Sequence, residues 1–415
     1  MIRAPRTRPG IRAAVPAAVA AALLSTALGA CSGAQDGPAG RASATPDAKG
    51  GAAVRAVSVS VTPSGAKAAA GRPVVVTATG GTLVAVTVTA PDGGVLTGRV
   101  SADGRSWTSD RKAAPGTAYT VVTKTRDAGG REAGTRTSFT TEAADRVNKL
   151  TLAPGKDTTV GVAQPLSIVF DHPVTDKAAV ERQLKVTTSR PTEGSWGWLK
   201  DWSGNDRADW RPREYWKPGT KVTLDAALNG TDSGDGGWFV RDYRTTFTVG
   251  ARQIVRVDLD AKRLTLERDG REIRRVAVSG GTPGGEKRSW RGTAVLMSKE
   301  GTIRMNSETV GLRDAYDKMV DHSMRLTWSG MYAHAAPWNA RWFGRANMSS
   351  GCIGMSDADA ADFYRQVRVG DPFEIKGADT KGTVAPGNGY GAWNVPWEQW
   401  RAKSALAGGG SGPAA

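Results

Sequence analysis

The chain has 415 residues, too many for one ordinary domain, and its 39% hydrophobic and 23% charged side chains allow several buried cores. Its 52 glycines favour turn-rich β structure over long helices. The formal net charge is +16, spread along the chain rather than clustered with aromatics; no nucleic-acid motif is present, so an anionic cell wall or membrane surface is the expected electrostatic partner.

At the N-terminus, Arg3, Arg6, Arg8 and Arg12 form a basic stretch, and an Ala/Val/Leu-rich run follows to about Leu28. The run fits a signal-peptide hydrophobic region better than a spanning helix. Leu28-Gly29-Ala30-Cys31 has the form of a bacterial lipobox. On that reading residues 1–30 are a lipoprotein signal peptide and Cys31 is the diacylated first residue of the mature protein. An ordinary signal with an incidental cysteine is the plainer alternative. Two acyl chains suffice for stable anchoring, which places the protein outside the cell membrane, facing the wall. Residues 31–53, rich in Gly, Ala, Ser and Pro, read as a flexible tether.

From 54 to 145, short alternating runs such as Val57–Val61, Val74–Ala78, Leu83–Val88, Ala118–Thr123 and Thr137–Thr140 are separated by turn signals, which predicts a small antiparallel sandwich with Trp107 in its core. Residues 146–250 repeat the style with Leu150–Leu152, Leu166–Phe170, Leu184–Thr187, Lys221–Leu224 and Thr245–Val249, and a short helix is expected between Asp176 and Leu184. Trp196, Trp198, Trp202, Trp210, Trp216 and Trp238 crowd this segment. They read first as core and loop packing, and alternatively as a glycan-binding face.

Residues 251–378 open as a β-meander (Ile254–Leu259, Arg263–Glu267, Ile273–Ser279). The glycine-rich Gly280–Gly285 interrupts it, and Gly292–Met297 resumes. A helix is predicted over Asp357–Val367 with Ser356 as its N-cap, then a strand at Pro372–Ile375. Residues 379–403, with Trp393, Trp397 and Trp400, are expected to pack back on this domain as a short helical tail, and 404–415 to be disordered.

Chemistry narrows quickly. There are three histidines and two cysteines, with no CxxC, HxxxH or HExxH, so no metal site and no cofactor is expected. Gly280-Gly281-Thr282 lacks phosphate-loop spacing, and no acid is marked out by a motif for glycoside hydrolysis. With Cys31 lipidated, Cys352 is the one thiol left for chemistry. It lies in Met348-Ser349-Ser350-Gly351-Cys352-Ile353-Gly354, eighteen positions after His334. A thiolate attacks and a thiol does not, so a histidine that takes the proton makes such a cysteine a nucleophile. Gly351 would let successive N–H groups face an oxyanion. By residue type alone, a buried apolar cysteine and a satisfied core histidine remain open.

The stretch Gly330-Met331-Tyr332-Ala333-His334-Ala335-Ala336-Pro337-Trp338, followed by Ser349-Ser350-Gly351-Cys352, resembles the catalytic signature of the L,D-transpeptidases (YkuD-type domain), and the likeness covers roughly 251–403. Lipobox and upstream modules match the layout of actinobacterial lipoprotein members. The implied fold class is mainly β: two Ig-like β-sandwich domains followed by a β-rich L,D-transpeptidase catalytic domain with a short C-terminal helical tail. The resemblance implies a cysteine acyltransferase that makes 3→3 cross-links between peptidoglycan stem peptides with release of D-Ala, and that carbapenems acylate. Cys352 would be nucleophile, His334 the base oriented through backbone carbonyls, and the Gly351 and Cys352 N–H groups the oxyanion hole. Tyr316, Met305 and Ser329 match substrate-pocket positions. Two departures stand out: Ser350 replaces the usual histidine of Ser-His-Gly-Cys, and Gly354 stands where Asn or Arg is common. An L,D-carboxypeptidase, or a catalytically weak wall-binding lipoprotein, is the alternative.

Overall fold

A computed structural model describes residues 57–313 and 316–407. The segments expected as signal peptide and tether, Cys31 among them, and residues 408–415 lie outside the described residues.

The first sandwich pairs one sheet ordered Ser58–Thr62, Pro73–Thr79, Ser106–Lys112, Gly98–Val100 with a second ordered Val95–Leu96, Gly81–Thr89, Ala118–Asp127, Glu132–Thr140. Period-two alternation builds it: along Pro73–Thr79, Val74, Val76 and Ala78 turn inward. They meet Trp107, Tyr119 and Phe139, the last two stacked with ring centroids 5.2 Å apart.

The second sandwich sets Leu150–Ala153, Leu166–Phe170, Asp206–Pro212 and Gly194–Lys200 against Thr158–Val160, Tyr243–Val249, Lys221–Ala226 and Leu184–Thr188. The expected helix forms at Lys177–Glu181, capped by the Asp176 side chain. Trp196, Trp198, Trp210 and Trp216 are buried, and Trp210 stacks on Trp216 at 5.2 Å. Trp202 alone of the six is largely exposed, while half-buried Trp238 lies against Gly71 of the first sandwich. The tryptophans are therefore mainly core and joint. Asp206–Pro212 was not expected as a strand, because four of its seven residues, Asp206, Arg207, Asp209 and Arg211, are charged; all seven are nonetheless buried.

The third domain has two sheets around one core. One is ordered Arg271–Ala277, Arg263–Arg268, Gln253–Asp258, Pro372–Lys376, Gly292–Val295. The other is ordered Ser298–Asn306, Asp317–Arg325, Tyr332–Ala335, Ile353–Met355. The helix Asp357–Gln366 begins at Ser356, whose hydroxyl accepts the Asp359 N–H at 3.1 Å, and it buries Ala360 and Phe363 in that core.

The tail corrects two expectations. It reaches beyond the catalytic domain: the Trp393 indole donates to the Ala163 carbonyl at 2.8 Å and that of Trp400 to the Ser195 carbonyl at 3.1 Å, both on the second sandwich. Arg211 of that sandwich lies over the rings of Trp393, Trp397 and Trp400 at 4.9, 5.3 and 5.2 Å. Residues 404–407, expected to be disordered, continue the docking. Ser404 Oγ donates to Glu181 and the Ala405 N–H reaches Glu181 Oε2 at 2.7 Å. Sequence periodicity missed this because the partners lie more than 200 residues away.

Candidate active site

The strands Tyr332–Ala335 and Ile353–Met355 run parallel, with His334 opposite Gly354. Parallel neighbours need a crossover, and residues 336–352 supply it through the 3-10 helix Pro337–Trp342. That is the physical meaning of the His334 to Cys352 spacing: His334 is the last but one residue of one strand and Cys352 immediately precedes the next.

The nucleophile loop is pinned by backbone and hydroxyls. Ser349 N–H donates to the Gly280 carbonyl and Thr282 N–H to the Ser349 carbonyl, both at 2.9 Å. Ser289 Oγ accepts the Gly281 N–H at 2.9 Å and donates to the Gly351 carbonyl at 2.8 Å. The glycine-rich stretch is thus a brace for this loop. A Cβ at Gly281 would stand 2.1 Å from the Lys287 carbonyl oxygen. Gly351 itself has φ of 117°, a conformation that side chains rarely adopt.

Cys352 is 8% exposed and its Sγ approaches the Gly330 carbonyl oxygen at 3.6 Å. Burial pushes its thiol up to about 11, against the Tyr332 backbone N–H, which lowers it. His334 is 5% exposed, and burial holds its pKa below the ordinary value, although a hydrogen bond to Ala335 opposes this. Its Nδ1 meets the Ala335 carbonyl oxygen at 2.6 Å, a contact that requires a proton on Nδ1 and leaves Nε2 as acceptor. Both groups open on one cavity of about 190 Å³, roofed by the hairpin of Ser298–Asn306 and Asp317–Arg325. Tyr316 lines it as well, its phenol pushed up to about 12 by burial and by the neighbouring Cys352.

Residues 252–375 match the family of the L,D-transpeptidase catalytic domain, and 65–232 match a bacterial Ig domain, a span that takes in most of both sandwiches. Over 344 residues the chain is 35% identical to L,D-transpeptidase 2 of Mycobacterium tuberculosis (strain CDC 1551 / Oshkosh), covering 81% of each chain. The chain belongs to the L,D-transpeptidase family. It is also 33% identical over 322 residues to L,D-transpeptidase 5 of Mycobacterium tuberculosis (strain ATCC 25618 / H37Rv), 77% of this chain and 70% of that one. A solved L,D-transpeptidase from Mycobacterium smegmatis is 32% identical, with 55% of this chain and 99% of that chain covered and a TM-score of 0.45.

Within this L,D-transpeptidase the cavity brings together Cys352, His334, Tyr316, Met305 and Ser350. It does not include Ser329, Gly351 or Gly354. Ser329 is spent on a turn: its N–H donates to Asn388 Oδ1 at 2.9 Å and its Oγ accepts from Asn388 Nδ2 at 2.8 Å. Gly354 exchanges backbone hydrogen bonds with Ser279 at 2.9 Å, and a Cβ there would meet the Ala336 Cβ at 2.9 Å instead of the cavity. The Gly351 N–H, assigned to the oxyanion hole, donates to Ser349 Oγ at 3.1 Å, and that hydroxyl closes on the Cys352 carbonyl at 2.6 Å. Trp338, Lys318, Asn339, Met348 and Ser349 line the cavity without having been singled out. Lys318 lies two residues after Tyr316, near the start of the strand Asp317–Arg325.

Proposed function

We propose that this enzyme forms 3→3 cross-links in peptidoglycan through a Cys352 thioester. One observation carries the reading: an imidazole held neutral, with its free nitrogen unprotonated, shares one cavity with a buried neutral thiol. The thiol proton passes to His334 Nε2 as sulfur attacks the carbonyl of the L-centre of the third-position diamino acid in a tetrapeptide stem. The tetrahedral oxyanion takes the Cys352 N–H, and the Gly351 N–H when Ser349 releases it. Collapse expels D-Ala, whose amine leaves with the His334 proton. The side-chain amine of a second stem then attacks the thioester, gives its proton to His334, and sulfur departs as thiol.

Incubating the protein with tetrapeptide muropeptides and reading the products by mass spectrometry tests this. Cross-linked dimers together with a meropenem adduct on Cys352 are the expected result, both lost in Cys352→Ala. Tripeptides alone would assign a carboxypeptidase, and no product with no adduct a wall-binding protein.

We further propose that Cys31 anchors the chain by its acyl groups outside the membrane. Equal fatty-acid labelling of the native chain and Cys31→Ala would overturn it.

A further inference from the structure

Among the described residues, the cavity carries one ionised side chain. Of those that line it, His334 is held neutral, Cys352 and Tyr316 are neutral at physiological pH, and none is a carboxylate, which leaves Lys318. Lys318 stands opposite Met305 in the roofing hairpin, and its ammonium lies 4.5 Å from the centre of the Trp338 ring, which comes from the crossover on the other side. The same indole lies 6.0 Å from the His334 ring. The charge and the imidazole therefore share one indole neighbour.

The surroundings leave this charge unmatched. The adjacent Asp317 is engaged by Arg304, through Nε at 2.7 Å and again through Nη2. Among the described residues no carboxylate pairs with Lys318; its contact is the indole face. A cation over tryptophan is parked and aimed while its other N–H directions stay open to a ligand. Stem peptides carry carboxylates, and a cavity with no other countercharge desolvates such a group at a cost that Lys318 alone can offset.

We propose that Lys318 is the specificity residue that reads a free carboxylate on the donor stem, so that this enzyme prefers acid stems to amidated ones. The proposal rests on the stem peptide being the substrate. Two carboxylates offer the same chemistry, the one on the diamino acid and the one on the terminal D-Ala.

The test is equilibrium binding of a synthetic tetrapeptide to the Cys352→Ser protein, which cannot turn it over. Three peptides are compared: the free acid, the diamino-acid carboxamide and the terminal amide. The acid is expected to bind about fivefold tighter than one of the two amides, the magnitude of a partly exposed ion pair, and the amide that loses affinity identifies the carboxylate. Raising salt should erode that preference. Adding Lys318→Met, which keeps an apolar stem on Trp338, should bring the acid down to the amide, and Lys318→Arg should keep the preference. A preference for the acid that survives unchanged in Lys318→Met overturns the proposal, as does equal binding of all three peptides by the parent. If no peptide binds at all, the stem-peptide reading itself fails and this assignment falls with it.

Discussion

Cys352 and His334 share their cavity as two neutral groups. Burial raises the Cys352 thiol and lowers the His334 imidazole, and both shifts oppose a resting thiolate–imidazolium pair. The proton must then move during attack, which makes His334 a base whose loss costs about 10²- to 10⁴-fold in acylation rate. The sign of the pH dependence follows. Because burial holds the pKa of His334 below its ordinary 6.5, the base stays unprotonated through neutral pH, and acylation should fall only on the acid side of 6.5. Without substrate, alkylation of Cys352 by iodoacetamide should be slow at pH 7 and climb toward pH 11, where the thiol ionises. A flat alkylation rate between pH 5 and 8 would mean a preformed ion pair and contradict this account.

At the scale of elements, the turn between the hairpin roof and the His334 strand holds the thiol, and the tail holds the turn. Asn388 clamps Ser329 from both sides, and the next carbonyl, that of Gly330, receives the Cys352 thiol. Asn388→Ala removes two hydrogen bonds, each worth about 1 kcal/mol, behind a loosely held nucleophile. Acylation by meropenem is expected to slow by about tenfold while the far-UV spectrum stays native, and Asn388→Asp, which retains the acceptor, should lose less. This contact was not legible in the sequence, because its partners are 59 residues apart and neither sits in a patterned run. The alternating strands were legible wherever one face is apolar, as in Pro73–Thr79. The strand Asp206–Pro212 was not, since its buried charges are satisfied partly within the strand and partly far along the chain: Arg207 pairs with Asp209 at 2.6 Å and donates to the Gly389 carbonyl at 2.8 Å. Cys352 and His334 could be read because one crossover separates them and their residue types are rare here. Lys318 could not, because an exposed lysine on a strand looks like any solvated face until the fold sets an indole beneath it.

At the scale of the molecule, the second sandwich and the catalytic domain keep separate cores but are stitched together by hydrogen bonds. Gly161 and Ala163 donate to the carbonyls of Val369 and Gly370, which brings the sandwich down over Asp371. There burial raises the Asp371 pKa to about 6, against the Arg368 N–H and Gln253, and its Oδ1 has no partner among the described residues. A folded value above the ordinary 3.8 means the stability this group contributes is complete below pH 3.8 and is lost as pH rises through about 6. Asp371→Asn should therefore raise the melting temperature at pH 7.5 but not at pH 4, by a stability difference on the order of 2 kcal/mol; a fall at both pH values would show that the carboxylate is a net asset. The tail adds the other stitch, with Asn394 bonded to Thr293 of the catalytic sheet while Trp400 is sunk against the sandwich. The peptide joint near residue 250 is thus a seam in the gene and not in the fold. A recombination there would deliver three indoles without the arginine they enclose, so the piece that evolution can move as a whole runs from 146 to 407, with its sandwich attached.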